Sequence, residues 1–446
     1  MSYKVEKDSV ITSIGGGTFS SGTKFLTCGG TNIAPKAGIT WANFRVGEGA
    51  NATNFKYIFN VGNFNGKTAP LISGYPDDGL APTTIKQSLF NRGDIQYICG
   101  RFSLTGGANN IARFNPSVSK TTATTTFNTL SGITFTGSNN AVNCISSDTT
   151  GAFTKIYLAG RFDTAAISPT TTGYKNMVRL NVSTSPTYTI DTGFTTATTL
   201  IDSSDVTINS MIVVNRILYV AGTDTSSGNC IFFRYNGTAW TNLLNSVSPI
   251  TGNINVLQAV STTRIAIGGK FTSIGNATNC NNIAYFTIST TSSNSSFTKL
   301  GSGVEGVGAS LIYPNAEVFA LSYLGTNLWV GGYFLNAGGN TANSIATYSG
   351  SSWNPVKRDD TTTGLLIDTD TTGTDPGVVY AFSPATIDTS IIMAGGSFKT
   401  TTNAATGITI HNLVKITNTT TPLKTSTTRT YSNFNATSVS TTKPKN

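Results

Sequence analysis

Apolar residues in this chain of 446 residues come in short phrases, each closed by glycine and each followed by polar sequence. "FLTCGG", "IFNVGNF", "YICGRF", "IYLAGRF", "LYVAGT", "IAIGGKF", "LWVGGYF" and "IIMAGGSF" set their last or central glycine at Gly30, Gly62, Gly100, Gly160, Gly222, Gly269, Gly332 and Gly396. Short runs rich in β-branched and aromatic side chains fit a pleated, buried surface. A second apolar run and a turn often stand ahead of the phrase. The turn is Gly325-Thr326-Asn327 in "VFALSYLGTNLWVGG" and Asn215-Arg216 in "INSMIVVNRILYVAG". A polar loop follows, then an outgoing strand such as "NSIATYSG", "NNIAYFTI", "NNIARFNP" or "NMVRLNV". No segment of useful length carries apolar residues at helical spacing. The pattern predicts an all-β chain with three or four antiparallel strands per unit.

The glycines recur at intervals of about 30 to about 65 residues, within or slightly beyond the range of propeller repeats. A repeated sheet that hides one face against the next copy is a blade, and blades closing in a ring make a β-propeller. The glycines are expected where a strand approaches the neighbouring sheet or bends sharply. Phe64, Phe102, Phe162, Phe271, Phe334 and Phe398 are expected to bury their rings between adjacent sheets. The expected fold is a single β-propeller over residues 1–416, made of mostly four-stranded antiparallel blades. Seven blades are expected, with six to eight as the range, because Gly30 and Gly62 lie too close for a full blade between them. Residues 417–446 form a Thr-rich basic segment. Residues around Tyr3 to Ile14 and Arg429 to Val439 are expected to share the blade that closes the ring, leaving no exposed edge.

"YNGTAW" (Tyr235 to Trp240) and "YSGSSW" (Tyr348 to Trp353) each set a Tyr five residues before a Trp, downstream of an apolar–glycine phrase. With the glycine pair, this resembles the kelch repeat. It is more similar still to the GG-x-F…N-IA-x-Y…W variant in fungal cortical-marker proteins and in uncharacterised proteins of large DNA viruses. The resemblance covers the chain from about Phe25 to Ile416. The Tyr/Trp part is complete in two units, and the glycine pair is broken at Gly62, Gly100, Gly160 and Gly222. The resemblance implies a propeller and, by analogy, a place in a viral particle.

Composition narrows the surface chemistry. Charged residues make up 11% of the chain, less than half the usual quarter, so solubility rests on Thr, Ser, Asn and the 46 glycines. The net charge of +9 is partly terminal, with Lys415, Lys424, Arg429, Lys443 and Lys445 free of acidic neighbours. No Lys/Arg run of the kind that tracks phosphates occurs, so nucleic acid is not an expected partner. "MSYKVEKDSV" lacks the apolar core of a signal peptide, and no apolar run approaches membrane-spanning length, so membrane insertion is not expected. Five cysteines, with Cys28 and Cys99 inside strand-like phrases, read as reduced buried thiols in a cytosol-like compartment. None has the Cys/His spacing of a zinc site.

Little in the sequence nominates catalytic chemistry. The single histidine, His411, alternates with Ile410 and Leu413 in a strand-like run, so triad catalysis would have to pass through a residue that reads as structural. No motif nominates the converging carboxylates of a glycosidase. Asp368, Asp370 and Asp375 form a weak calcium candidate, since alternate carboxylates on a tight turn converge on a hard cation. Thr372 replaces the third carboxylate, and Asp375 is one place off the spacing, which favours a solvated loop. Arg101, Arg161 and Lys270 hold one place in their units, where stems packing beside the next blade explain them. Asn-x-Ser/Thr triplets, Asn236 among them, are no commoner than the Ser/Thr content predicts. The expectation is a non-enzymatic protein without catalytic residues or cofactor, whose partners are other proteins of a larger assembly. A virion, as a minor capsid or surface protein, or a cytoplasmic assembly is the expected setting. The alternative is a carbohydrate-binding or adhesive propeller, which requires Trp240 or Trp353 exposed in a pocket.

Overall fold

The structure, a computed structural model, describes residues 10–18, 24–31, 55–60, 73–74, 88–92, 95–103, 109–114, 130, 133–136, 140–147, 155–167, 170–182, 188–194, 201–244, 250–289, 296–307, 314–356, 364–365, 376–383, 391–401, 409–417 and 430–432. Every regular element among them is a strand.

The phrases of Gly100, Gly160, Gly222, Gly269, Gly332 and Gly396 each form the middle of an antiparallel meander, pairing with the strand before and the strand after. In the Gly222 blade, Val206–Val214, Ile217–Asp224, Asn229–Tyr235 and Trp240–Asn242 pair antiparallel in chain order. The first hairpin turns on Asn215 and Arg216, whose φ values of 51° and 66° are those of a type I′ turn matched to strand twist. Four other blades repeat this order. They are the Gly160 blade (Ala141–Ser147, Lys155–Arg161, Met177–Val182, Tyr188–Ile190) and the Gly269 blade (Asn253–Ser261, Arg264–Lys270, Ile283–Thr287, Ser296–Lys299). The Gly332 blade (Glu317–Leu324, Asn327–Tyr333, Ile345–Ser349, Ser352–Pro355) and the Gly396 blade (Val378–Phe382, Ile391–Thr401, Thr409–Thr417, Thr430–Ser432) complete the set. Gly100 lies in Ile95–Ser103, which pairs with Ser88–Arg92 and Asn109–Phe114 and, at its end, with Ser73–Gly74. Gly30 lies in Lys24–Thr31, antiparallel to Val10–Thr18 and parallel to Phe55–Asn60.

The first strands form a closed succession. Val10–Thr18 lies against Ser88–Arg92, and contact passes in turn to Ala141–Ser147, Val206–Val214, Asn253–Ser261, Glu317–Leu324 and Val378–Phe382. Val378–Phe382 lies back against Val10–Thr18. Apolar clusters fill the spaces between successive sheets. Tyr219, Phe232, Ile254, Ile267 and Phe286, for example, join the Gly222 and Gly269 blades. This arrangement is a β-propeller, in which each sheet's apolar face is covered by its neighbour.

The described ends of the chain differ from the expected shared blade. Val10–Thr18 bonds to Lys24–Thr31, whereas Thr430–Ser432 is the outer strand of the Gly396 blade. The junction between them is packing of Val10–Thr18 on Val378–Phe382 and Ile391–Thr401, not a shared ladder. Asp368, Asp370, Asp375 and Gly62 lie outside the described residues, as do the side chains of Phe102, Arg101 and His411.

Candidate functional site

The repeated residues converge on the junctions between blades. On the first strand of most blades, one extra residue follows the partner of the phrase glycine: Asn143, Asn209, Asn255, Phe319 and Tyr380 are the bulge residues opposite Gly160, Gly222, Gly269, Gly332 and Gly396. Thr12 is the bulge residue opposite Gly30. The bulge drives a first-strand carbonyl onto the glycine. A Cβ on Gly160, Gly222, Gly269 or Gly332 would lie 2.0 Å from the carbonyl oxygen of Ala141, Thr207, Asn253 or Glu317. On Gly396 it would lie 1.9 Å from that of Val378. The close approach is therefore to the glycine's own blade, not to the neighbouring sheet. The glycine one place earlier faces the next blade instead. A Cβ on Gly268 would lie 2.5 Å from Val318 Cγ1, and on Gly331 2.5 Å from Val379 Cγ1. Ala159 and Ala221 hold that earlier place ahead of Gly160 and Gly222, where the pair is broken.

Two rows of amides tie blade to blade. In the bulge row, Asn143 Nδ2 donates to Ile208 O at 2.9 Å, Asn209 Nδ2 to Ile254 O at 3.0 Å, and Asn255 Nδ2 to Val318 O at 3.1 Å. Asn209 also donates to Asn253 Oδ1 at 2.7 Å, Asn253 to Asn255 Oδ1 at 2.7 Å, and Asn255 to Glu317 Oε1 at 2.6 Å. The second row opens each outgoing strand. Asn110, Asn176, Asn282, Ser344 and Asn412 all have φ between 56° and 73°. Asn176, Asn282 and Asn412 accept through Oδ1 from the backbone N–H of Phe162, Phe271 and Phe398 at 3.2, 3.1 and 2.9 Å. Their far side reaches the segment that enters the next blade. Asn176 donates to Ile201 O and Ser203 O, Asn282 to Val304 O, and the Ser344 hydroxyl to Gly377 O. Sequence reasoning assigned these positions no role, although an Asn begins most of the outgoing phrases and sits two or three residues into "AVNCI", "TINSM" and "NINVL".

The aromatic repeat residues are spent on the same junctions. Phe162, Phe271, Phe334 and Phe398 are buried, as are Tyr235 and Tyr348. Trp353 is 8% exposed, and its Nε1 donates to Leu300 O at 2.7 Å. Its ring lies over Gly338, where a Cβ would stand 2.5 Å from Cδ1. Trp240 is half-buried against Tyr235 and Phe194, with ring centroids 5.0 and 6.1 Å away. Arg161 and Lys270 are half-buried.

Ionisable groups in these junctions are shaped by burial. Asp191 accepts from Lys155 Nζ, and from Arg179 Nε at 2.8 Å. The Arg179 guanidinium lies 4.9 Å from the centroid of Phe194. Burial pushes the Asp191 carboxyl up, but the Lys155 hydrogen bond and the charges of Arg179 and Lys155 outweigh it and hold it below its ordinary value. Burial pushes the Cys230 thiol up to about 12 and that of Cys280 to about 11. Both are therefore protonated at neutral pH, and a protonated thiol is a poor nucleophile. Among the described residues, no three His, Cys, Asp or Glu side chains gather as metal ligands, and no helix is long and apolar enough to cross a membrane.

No curated protein matches the chain. Among the solved structures that match, two each align with 74% of it. One is the β-propeller domain of Cps50 (Swd1) from Myceliophteria thermophila, at 7% identity and a TM-score of 0.33 over 96% of that chain. The other is the N-terminal domain of Nup159, at 9% identity and a TM-score of 0.31 over 71% of that chain. Residues 187–369, which take in the Gly222, Gly269 and Gly332 blades, match the family model of the Rax2 C-terminal β-propeller domain. The chain is a β-propeller, and across those residues it is similar to that domain.

Proposed function

We propose that this protein is a non-enzymatic interaction scaffold, a stiff propeller whose loops contact other proteins. One observation supports the reading above others: the repeated Asn, Tyr, Trp and Phe side chains are engaged between blades, so the recurring motif maintains the ring and leaves contact to the variable loops. Turns such as Thr225–Gly228, Asn236–Ala239 and Gly338–Thr341 offer hydroxyl, amide and backbone groups to solvent. Loops on a rigid framework are where binding residues concentrate. The glycan alternative is left with Trp240, since Trp353 is held by Leu300 and Gly338.

The finer reading is a component of a large particle, a virion or a cytoplasmic assembly, supported by the hydroxyl-rich, charge-poor composition. Sedimentation of material from the natural source, with the chain followed by mass spectrometry, tests it. Co-migration with a large particle at fixed stoichiometry is the expected result. A slow monomeric peak throughout overturns the particle reading and turns attention to Trp240 and glycans.

A further inference from the structure

We infer that Asn236 is a site of self-modification, at which the side-chain amide is lost through a succinimide formed with the backbone nitrogen of Gly237. Asn236 to Ala239 form the turn between the paired residues Tyr235 and Trp240, and all four turn residues are exposed. Three features of the turn favour the reaction. Gly237, at φ 104°, puts no side chain beside the nitrogen that must attack, and a Cβ there would meet nothing within 4 Å. Among the described residues its N–H has no hydrogen-bond partner, whereas the Asn236 N–H is engaged with Ala239 O at 3.2 Å. The electrophile is also activated. Asn236 Oδ1 accepts from Thr238 N at 3.0 Å, Thr238 Oγ1 at 3.0 Å and Ala239 N at 2.8 Å. Donors already aimed at an oxygen stabilise the negative charge that grows on it when its carbon becomes tetrahedral.

Among the described residues, Asn276, Asn176 and Asn282 lack the combination. Asn276 is exposed, but it precedes Ala277, and both ends of its amide are tied to the Phe297 backbone at 3.2 and 2.7 Å. Asn176 and Asn282 are held in junctions and precede Met177 and Ile283, whose side chains hinder the attacking nitrogen.

The steps balance without an oxidant or a co-reactant other than water. The Gly237 nitrogen bonds to Asn236 Cγ and gives its proton to solvent. The Cγ–Nδ2 bond breaks, and Nδ2 takes up a proton and leaves as ammonia. One water then opens the five-membered imide. Opening at one carbonyl yields aspartate, and at the other isoaspartate, which carries the main chain through Cγ. Either product adds a negative charge to the turn. The second also lengthens its backbone beside Trp240, the start of the outermost strand of the Gly222 blade.

The full chain is kept folded in mildly alkaline buffer and, in parallel, unfolded in urea. The Asn236 peptide is then mapped by mass spectrometry with isoaspartate detection. Conversion several-fold faster in the folded protein is expected, with the Asn65–Gly66 peptide as an internal Asn-Gly reference. Thr238→Val, which deletes one donor to Oδ1, slows the folded reaction, and Thr238→Ser, which keeps it, does not. A folded rate at or below the unfolded rate overturns the inference. So does a Thr238→Val protein that converts as fast as the parent.

Discussion

A single methyl group distinguishes a phrase glycine from a turn glycine. In Gly332→Ala the new Cβ meets the Glu317 carbonyl, a backbone atom with nowhere to go, so the bulge must shift. We expect a loss of about 3 kcal/mol, read from denaturant midpoints. Gly228→Ala, at φ 69° with nothing within 4 Å, carries conformational strain alone and loses about 1 kcal/mol. Tyr219 shows the opposite case. Its hydroxyl is buried in the junction between the Gly222 and Gly269 blades, without a hydrogen-bond partner among the described residues. Tyr97, one of the tyrosines at the matching place in other phrases, bonds to the Tyr188 hydroxyl at 2.9 Å. Tyr219→Phe removes the orphaned group and keeps the ring, so the variant is expected to be as stable as the parent or more stable by ~1 kcal/mol. A marked loss would mean that the hydroxyl is bonded after all.

Between strands, the Asn that opens the outgoing strand does two jobs at once. Asn282 holds a left-handed backbone at φ 73° and bridges the Phe271 N–H to the Val304 carbonyl. Asn282→Ala forfeits both, and a loss of about 2 kcal/mol is expected. Asn282→Gly recovers the backbone share only, so it should fall between the parent and the alanine variant in thermal melts. Ser344 fills the same place in the next blade with a bond to Gly377 O, which shows that a short hydroxyl side chain suffices for the forward link. In the Gly160 blade the fourth strand is anchored electrostatically through Asp191. Its folded-state pKa lies below the unfolded value, so this contribution is complete above the ordinary carboxylate range and is lost as pH falls through the folded pKa. Asp191→Asn should flatten the acid limb of a stability–pH curve and leave the neutral and alkaline limbs parallel to the parent's.

Over the whole molecule, stability is shared around a closed succession of sheets, so local protection should track global unfolding. Cys99, Cys144, Cys230 and Cys280 are buried thiols. A thiol reagent at neutral pH should label the peptides that carry them only as the protein unfolds, with one midpoint for all four. Labelling of Cys144 ahead of Cys230 would show that the Gly160 blade opens separately. The proposed interaction surface belongs to this scale too. The bulge row and the outgoing Asn row both point their bonds at the next blade, so the ring is built by directional contacts, while the loops between strands remain free to vary.

The chain's local patterns determined the class of fold. Short runs rich in β-branched and aromatic residues, with no helical spacing, are satisfied by strands, and recurrence of one phrase requires recurrence of one supersecondary unit. The hairpin at Asn215–Arg216 was equally legible, because φ above zero is a property of the residues in the turn. Tertiary structure decided which atom each glycine avoids. That depends on a one-residue bulge in another strand, and no spacing within the phrase encodes it. It likewise decided that Trp353 belongs to the core, since its partner is Leu300, 53 residues earlier, and that the two described ends occupy separate sheets. Such outcomes rest on register between segments far apart in sequence, where side-chain packing and carbonyl positions across the junction choose among pairings that composition alone leaves equal.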